Sequence, residues 1–422
     1  MSAAGGGLPG AGLLGVDEHL RECLALAVPL PPADLPLLDA LGRVLAEDVV
    51  APAPLPGADN SGMDGYAVRC ADVAGASEAT PVELPVVGDV AAGEHAAPLA
   101  PGTAVRIMTG GVVPAGADGV VPVEQTDGGT DVVRLRAEAV PGRFVRRAGS
   151  DVAAGEVVAR VGDPLDPRRL SLLTAVGRAS VRVRPAPRVV VMSTGDEVVA
   201  PGAPLRPGQV HDSNGVGVAA AALELGCRVT RAGAVPDDPD GFRAALADAL
   251  GAADVLVTTG GVSAGAFDVV KAVLRDSGTV RFRRVAVQPG MPQGLGVLRG
   301  ADGRDVPVFC LPGNPVSAMV SFEVFVRPAL RTVLGERDVL RPTVPATVRG
   351  GWASPEGKRQ YARVRLERSA GGGLVCEAVG GQGSHLVADL ATADALAVVP
   401  EAVTAVAEGD TLECLLVGAV PR

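Results

Sequence analysis

Thr258-Thr259-Gly260-Gly261-Val262-Ser263-Ala264-Gly265 lies between a strand-like run, Asp254 to Thr258, and a helical pattern, Asp268 to Asp276. Adjacent glycines let a backbone turn sharply and expose N–H groups to an anion, and the helix start behind them adds positive potential. Thr258, Thr259 and Ser263 add hydroxyl donors. The Gly-Lys-Ser/Thr ending of a Walker loop is absent. The loop reads either as a tight strand-to-helix turn or as a cradle for a phosphorylated small molecule. Its concentration of glycines and hydroxyls favours the cradle.

The same rhythm extends outward on both sides. Arg188 to Met192 has a buried-strand pattern. Asp212-Ser213-Asn214 supplies cap chemistry before a helix from Gly215 to Leu225. Arg228 to Ala234 is strand-like, and Asp238 with Pro239 opens a helix to Leu250. Val306 to Leu311 reads as a strand and Val316 to Leu334 as a long helix. Strand-helix alternation of this kind predicts an α/β domain over 187–336 with a mostly parallel, doubly wound sheet. Ligands of such sheets bind at the carboxyl ends of the strands.

The flanks differ. Val16 to Val28 and Leu35 to Leu45 read as helices, and Pro167 to Val176 as a third, giving a helical linker domain over 16–50 and 156–186. Short β-like runs fill 51–155, an inserted β-rich domain. Residues 337–422 return to β and predict a small C-terminal barrel. Residues 1–15 are Gly- and Ala-rich and read as disordered.

With 422 residues the chain is about three times the usual domain length. A net charge of −10 argues against generic nucleic-acid or membrane-surface binding, though not against a local anion pocket. Six scattered cysteines without a C-x-x-C pair argue against a zinc or redox motif and fit a reducing compartment. No basic signal start and no membrane-length apolar run is present, so the expectation is a soluble, cytoplasmic protein.

Further loops fall at strand ends. Ser193-Thr194-Gly195-Asp196-Glu197 could hold substrate and hydrated Mg²⁺, or could be a helix cap. Asp237, and Asp268 before Lys271, pose the same choice. Three carboxylates at one sheet edge, Glu197, Asp237 and Asp268, exceed what capping needs and suit a metal on substrate phosphates. Leu311-Pro312-Gly313-Asn314-Pro315-Val316-Ser317 is a rigid turn with a hydroxyl at the next helix start. Asn214-Gly215-Val216-Gly217 imitates part of a dinucleotide fingerprint but places Gly217 inside a helix. The four histidines support neither a metal site nor a triad. Asp59-Asn60-Ser61-Gly62-Met63-Asp64-Gly65-Tyr66-Ala67 is a polar, proline-flanked loop unlike an ordinary linker.

Five segments in order carry a resemblance: the Asp59 loop, Arg106-Ile107-Met108-Thr109-Gly110, Ser193 to Glu197, Gly260 to Gly265, and Leu311 to Ser317. Together they resemble the molybdopterin molybdenumtransferases of the MoeA type, which include the gephyrin E domain. The resemblance runs from about Val16 to the C-terminus. It implies a homodimer of four-domain subunits with an active site between subunits; the charge balance argues for no nucleic-acid or membrane partner. The implied reaction takes adenylylated molybdopterin and molybdate, with Mg²⁺ as cofactor, and releases AMP. By resemblance Asp59, Thr109, Asp151, Glu197, Asp237 and Asp268 are the functional polar residues, the last three as metal ligands. Thr194, Gly195, Thr259, Gly260, Gly261, Ser263, Gly265, Pro312, Asn314 and Pro315 fall on substrate-binding positions. Ser317, Arg363 and Ser384 fall on positions for molybdate. The family often reads Lys-Pro-Gly-Lys-Pro where this chain has Gln288-Pro289-Gly290-Met291-Pro292, so two positive charges are missing. Arg284 keeps a basic position nearby. Rival readings are a molybdopterin adenylyltransferase and a non-catalytic carrier for the cofactor precursor. Partners implied are that adenylyltransferase and downstream molybdoenzymes.

Overall fold

A computed structural model describes residues 12–235, 238–262 and 269–418. Helix α1, Val16–Leu26, is followed by β1, Ala33–Pro36, and β2, Val44–Leu45. The helix expected over Leu35 to Leu45 is therefore a strand, a turn and a second strand. Ala33–Pro36 pairs antiparallel with residues 180–183, and Gly42 turns the chain at φ 72° before the second strand. The expected disorder of residues 1–15 fails at Leu14, whose N–H donates to Arg284 O and whose carbonyl accepts from the Ala286 N–H, both at 2.8 Å. Its remainder up to residue 11 lies outside the described residues.

The inserted region forms a five-stranded sheet from β3, Gly65–Val68, β4, Val82–Val90, β5, Ala104–Ile107, β6, Gly119–Pro122, and β7, Val132–Leu135. Their spatial order is β6-β3-β5-β4-β7. Helix α2, Pro167–Ala175, is capped by Asp166, which accepts from Arg169 N at 2.8 Å. Strand β8, Ser180–Arg184, then runs between β1 and β2.

The central domain opens with β9, Arg188–Thr194, α3, Ser213–Glu224, β10, Arg228–Val235, α4, Pro239–Ala252, and β11, Val255–Thr259. It continues with α5, Val269–Asp276, β12, Val280–Arg284, the short β13, Val287–Gln288, β14, Pro292–Arg299, and β15, Asp305–Leu311. A continuous helical rod closes it: α6, Pro315–Ser321, a π turn Phe322–Val326, and α7, Arg327–Val333. The sheet order is β10-β9-β11-β15-β14-β12. The first four strands are mutually parallel, and β14 and β12 add an antiparallel edge.

Period-two alternation along β9 sorts its side chains between two cores. Val189 and Val191 pack with residues of α3, α6 and α7, while Val190 and Met192 pack with residues of α4 and α5. Burial on both faces explains why the strand reads as an unbroken Val-rich run. Asp212 and Asp238 cap α3 and α4, as the sequence predicts, accepting from Gly215 N at 2.8 Å and Gly241 N at 2.7 Å.

The C-terminal region is a closed barrel. Strands β16, Thr343–Arg349, β17, Arg359–Arg368, β18, Leu374–Ala378, β19, Ala395–Val399, and β20, Thr411–Leu416, pair around a ring that β17 and β19 complete. Helix α8, Val387–Ala391, lies in the loop between β18 and β19. Strand β13, which follows the central edge strand β12, pairs with β17 of the barrel, so one segment joins the two domains. All six cysteines are buried and unbonded. No helix among the described residues is long and apolar enough to cross a membrane.

Helix α1 holds a titratable group in the core. The His19 ring meets Phe325 edge-on at 4.7 Å between centroids, and its Nδ1 is buried without a partner. Burial first, and then the Arg283 charge, pull its pKa down to about 4. The folded protein keeps this imidazole neutral, whereas the unfolded chain protonates it near pH 6.5. Its contribution is therefore complete above pH 6.5 and is lost as pH falls towards 4, about 3 kcal/mol across the window. Urea midpoints measured from pH 7 to 4.5 should fall less steeply in His19→Leu. Identical pH slopes in the variant and the parent would show that His19 does not set this acid limb.

Candidate active site

The parallel strands end together, and the loops that leave them enclose a cleft of about 740 Å³. Strand β9 delivers Ser193 and Thr194, β11 delivers Thr259, and the turn after β15 delivers Pro312 to Pro315. Gly195, Glu197, Gly260, Gly261 and Ser317 complete the set of sequence-predicted residues on its wall.

Glycine is required at the two central turns. Gly260 has φ 90°, and a Cβ there would stand 2.8 Å from Thr194 O. Gly261 has φ 65°, and a Cβ would stand 2.4 Å from Val270 Cγ2. These conformations turn the chain from β11 towards α5 while the Thr194 hydroxyl donates to Thr259 O at 3.3 Å. Ser263 and Gly265 of the same loop lie outside the described residues, as do Asp237 and Asp268.

A buried polar network stiffens the floor. Asp212 is 3% exposed and accepts from Ser193 Oγ at 2.7 Å, Gly215 N at 2.8 Å and Arg231 Nη2 at 2.7 Å. The Thr259 hydroxyl donates to Ser193 Oγ at 3.2 Å. Asn214 donates from Nδ2 to Gly313 O at 2.6 Å, tying the start of α3 to the turn after β15. Asn314 in turn donates to Ser384 Oγ at 3.0 Å, and the Val316 N–H donates to Ser384 O at 3.0 Å. The sequence reading passes over Asn214 as a false fingerprint. Its signal was the cap motif Asp212-Ser213-Asn214, which fixes a side chain at a strand-end loop.

Glu197 is exposed on the cleft wall with its carboxylate folded over Gly195, where a Cβ would lie 2.5 Å from Glu197 Oε2. Among the described residues no group of three or more His, Cys, Asp or Glu side chains is placed to hold a metal. Of the three carboxylates expected around one sheet edge, Glu197 alone falls within the described residues. His211 and His385 also line the cleft, and His211 Nε2 bonds Ala203 O at 2.9 Å.

Arg363 lies behind the loop that carries Ser384. It is fully buried on β17, its Nη2 donates to Gly381 O, and its Nε and Nη1 have no partner. Burial pulls its pKa down, against the opposing influence of Asp389. A buried guanidinium with two donors unmatched by protein acceptors is costly to desolvate. Arg284, by contrast, is exposed and points Nη2 at Met291 Sδ, 3.6 Å away. Arg284, Arg363 and Ser384 all lie off the cleft wall.

The inserted domain holds the other expected residues, and none of them lines the cleft. Asp59 accepts from Ala148 N at 2.8 Å and from Arg147 Nη1 at 2.5 Å. The Ala148 N–H first, and then Arg147, hold its carboxyl below the usual range. The Thr109 hydroxyl and N–H both donate to Asp64 Oδ1, at 2.7 and 2.6 Å, which lowers the Asp64 pKa. Asp151 is exposed, with its N–H donated to Leu55 O at 3.0 Å. One chain thus carries two separated groups of polar residues.

Three family models account for most of the sequence. Residues 14–177 match the MoeA N-terminal region (domain I and II), 190–332 a probable molybdopterin binding domain, and 345–417 the MoeA C-terminal region (domain IV). The chain belongs to the MoeA family. A Mycobacterium tuberculosis H37Rv relative named molybdopterin molybdenumtransferase 2 is 46% identical over 94% of this chain and 98% of its own. The Haemophilus influenzae molybdopterin molybdenumtransferase is 35% identical over 95% of this chain and 98% of its own. A crystal structure of a MoeA molybdopterin biosynthesis protein from Pyrococcus horikoshii superposes with a TM-score of 0.82 at 33% identity. That match covers 96% of this chain and 99% of the other. The mixed α/β architecture with its closed barrel is thus the MoeA fold.

Proposed function

We propose that this chain transfers molybdenum to molybdopterin, taking adenylylated molybdopterin and molybdate as substrates and releasing AMP. MoeA family membership makes it a transferase of molybdenum cofactor biosynthesis. The observation that carries the finer reading is Arg363, a buried guanidinium with two free donors beside the cleft loops. A tetrahedral dianion satisfies those donors, and the Ser317 and Ser384 hydroxyls stand on the two elements that meet there.

The chemistry follows from these placements. The turn at Gly260 and Gly261, beside Thr194 and Thr259 on the cleft wall, receives the phosphate end of the pterin substrate. Asn314 and the turn Pro312 to Pro315 hold the opposite wall rigid. Molybdate exchanges one oxygen for the two dithiolene sulfurs, and that oxygen leaves as water with the two thiol protons. Cleavage of the phosphoanhydride consumes one water and yields AMP and the pterin phosphate. The Glu197 carboxylate lines the cleft, which suits a hydrated divalent cation. With Asp237 and Asp268 it would hold Mg²⁺, which supplies charge neutralisation at the anhydride oxygens. Asp59, Thr109 and Asp151 reach the site only from a second subunit in this reading, which makes the active form a homodimer.

The purified protein supplied with adenylylated molybdopterin, Mg²⁺ and molybdate should release AMP in step with molybdenum incorporation. Tight binding of the pterin without AMP release would identify a carrier instead. Formation of the adenylylated pterin from ATP would identify an adenylyltransferase.

A further inference from the structure

We infer that Gln293 is a positioning residue for the oxyanion substrate, because its amide fixes the helix bearing Ser317 against the barrel strand bearing Arg363. The inference rests on the functional reading above. Gln293 is 2% exposed at the start of β14. Its Nε2 donates to Gly290 O at 2.6 Å and to Ser321 Oγ at 2.7 Å, so both protons of one amide are committed.

The two acceptors belong to different parts of the machine. Ser321 lies on α6, one turn beyond Ser317. Gly290 lies in the connection that leaves β13, where Val287 and Gln288 pair with Arg359 and Gln360 of β17. Arg363 sits further along the same strand. The amide therefore clasps a segment attached to the Arg363 strand directly onto the Ser317 helix. No slack exists at the joint: Gly290 has φ 115°, and a Cβ there would lie 2.7 Å from Ser321 Oγ. The adjacent Pro292 and the helix residue Ser317 both face the cleft. Loosening the clasp shifts the helix hydroxyl relative to the guanidinium, while the Gly260 phosphate cradle stands on strands that the clasp does not touch.

Gln293→Met keeps chain length and removes both donors; Ser321→Ala removes one acceptor. Dialysis of each full-length protein against molybdate alone, and steady-state kinetics with both substrates, separate the outcomes. Gln293→Met should weaken molybdate binding, and raise its KM, about tenfold or more, as expected when a buried doubly used donor is lost. Ser321→Ala should shift the same constants less. The KM for the pterin substrate should change several-fold less than the molybdate constants, since the Gly260 side of its site stands on other strands. An unchanged molybdate constant overturns the inference. So does a rise in both KM values together with a lower melting temperature, the mark of a general packing role. Molybdate binding by the parent without any product overturns only the reaction assigned above, whereas no molybdate binding by the parent removes both.

Discussion

Arg363→Leu should lose molybdate-dependent AMP release by about two to three orders of magnitude while melting at or above the temperature of the parent protein. The two effects have one cause. The guanidinium is fully buried, with one hydrogen bond to Gly381 O and two nitrogens without a protein acceptor. Desolvating such a group costs more than one neutral acceptor returns, so an apolar side chain, even a shorter one, suits the folded state at least as well. With the dianion present the balance reverses. Two charge-assisted donors then meet a doubly charged acceptor out of water, and deleting them removes several kcal/mol of binding. A structural arginine behaves oppositely: its loss lowers stability and leaves the molybdate KM alone. A variant that melts lower yet keeps the parental rate would therefore strip Arg363 of its role. Parallel melts with added molybdate extend the test, because the parent should gain stability with oxyanion and Arg363→Leu should not.

Arg363 also shows what the sequence could and could not disclose. The motif places an arginine there, but nothing local in Tyr361-Ala362-Arg363-Val364 signals that its side chain lies inside a barrel with unused donors. That follows from closure of β17 onto β19, a long-range pairing. The strand–helix alternation from Pro187 onward was legible because β9 and β11 are buried on both faces and α3 and α4 carry Asp caps. Leu35 to Leu45 misled because its leucines at Leu35, Leu38 and Leu41 mimic a helical face. In the fold Leu38 and Leu41 are exposed, and Leu45 is buried through strand pairing. The antiparallel edge β14–β12 was missed for a related reason. Its charged run Arg281, Arg283 and Arg284 does not look like a buried strand, because it belongs to an edge strand, where charge protects unpaired backbone. Gln293 carried no motif at all, and its meaning depends on three segments meeting. Arg284, the basic residue beside the segment that lacks the two lysines, leans on Met291 outside the cleft wall.

The separation of Asp59, Thr109 and Asp151 from the cleft leads to the second large effect, which concerns pairs of chains. Asp59→Asn and Glu197→Ala should each reduce turnover about a hundredfold or more, by removing charge placed for the reacting phosphates. Both side chains are partly exposed or exposed, so folding should tolerate the changes. If each active site joins the inserted domain of one subunit to the cleft of the other, the two variants repair one another. In a mixed dimer one site combines both defects, and the other combines an intact Asp59 with an intact Glu197. Random assortment makes half of the dimers mixed, each with one good site, so co-expression should restore about a quarter of parental activity. A site built within one chain gives a different answer, because every chain then carries a defect and no mixture recovers. Differently tagged chains, purified over both tags in succession, raise the expectation to about one half, since every dimer retained is mixed. Doubly tagged dimers that form and stay inactive would place the whole reaction, Asp59 included, within a single subunit.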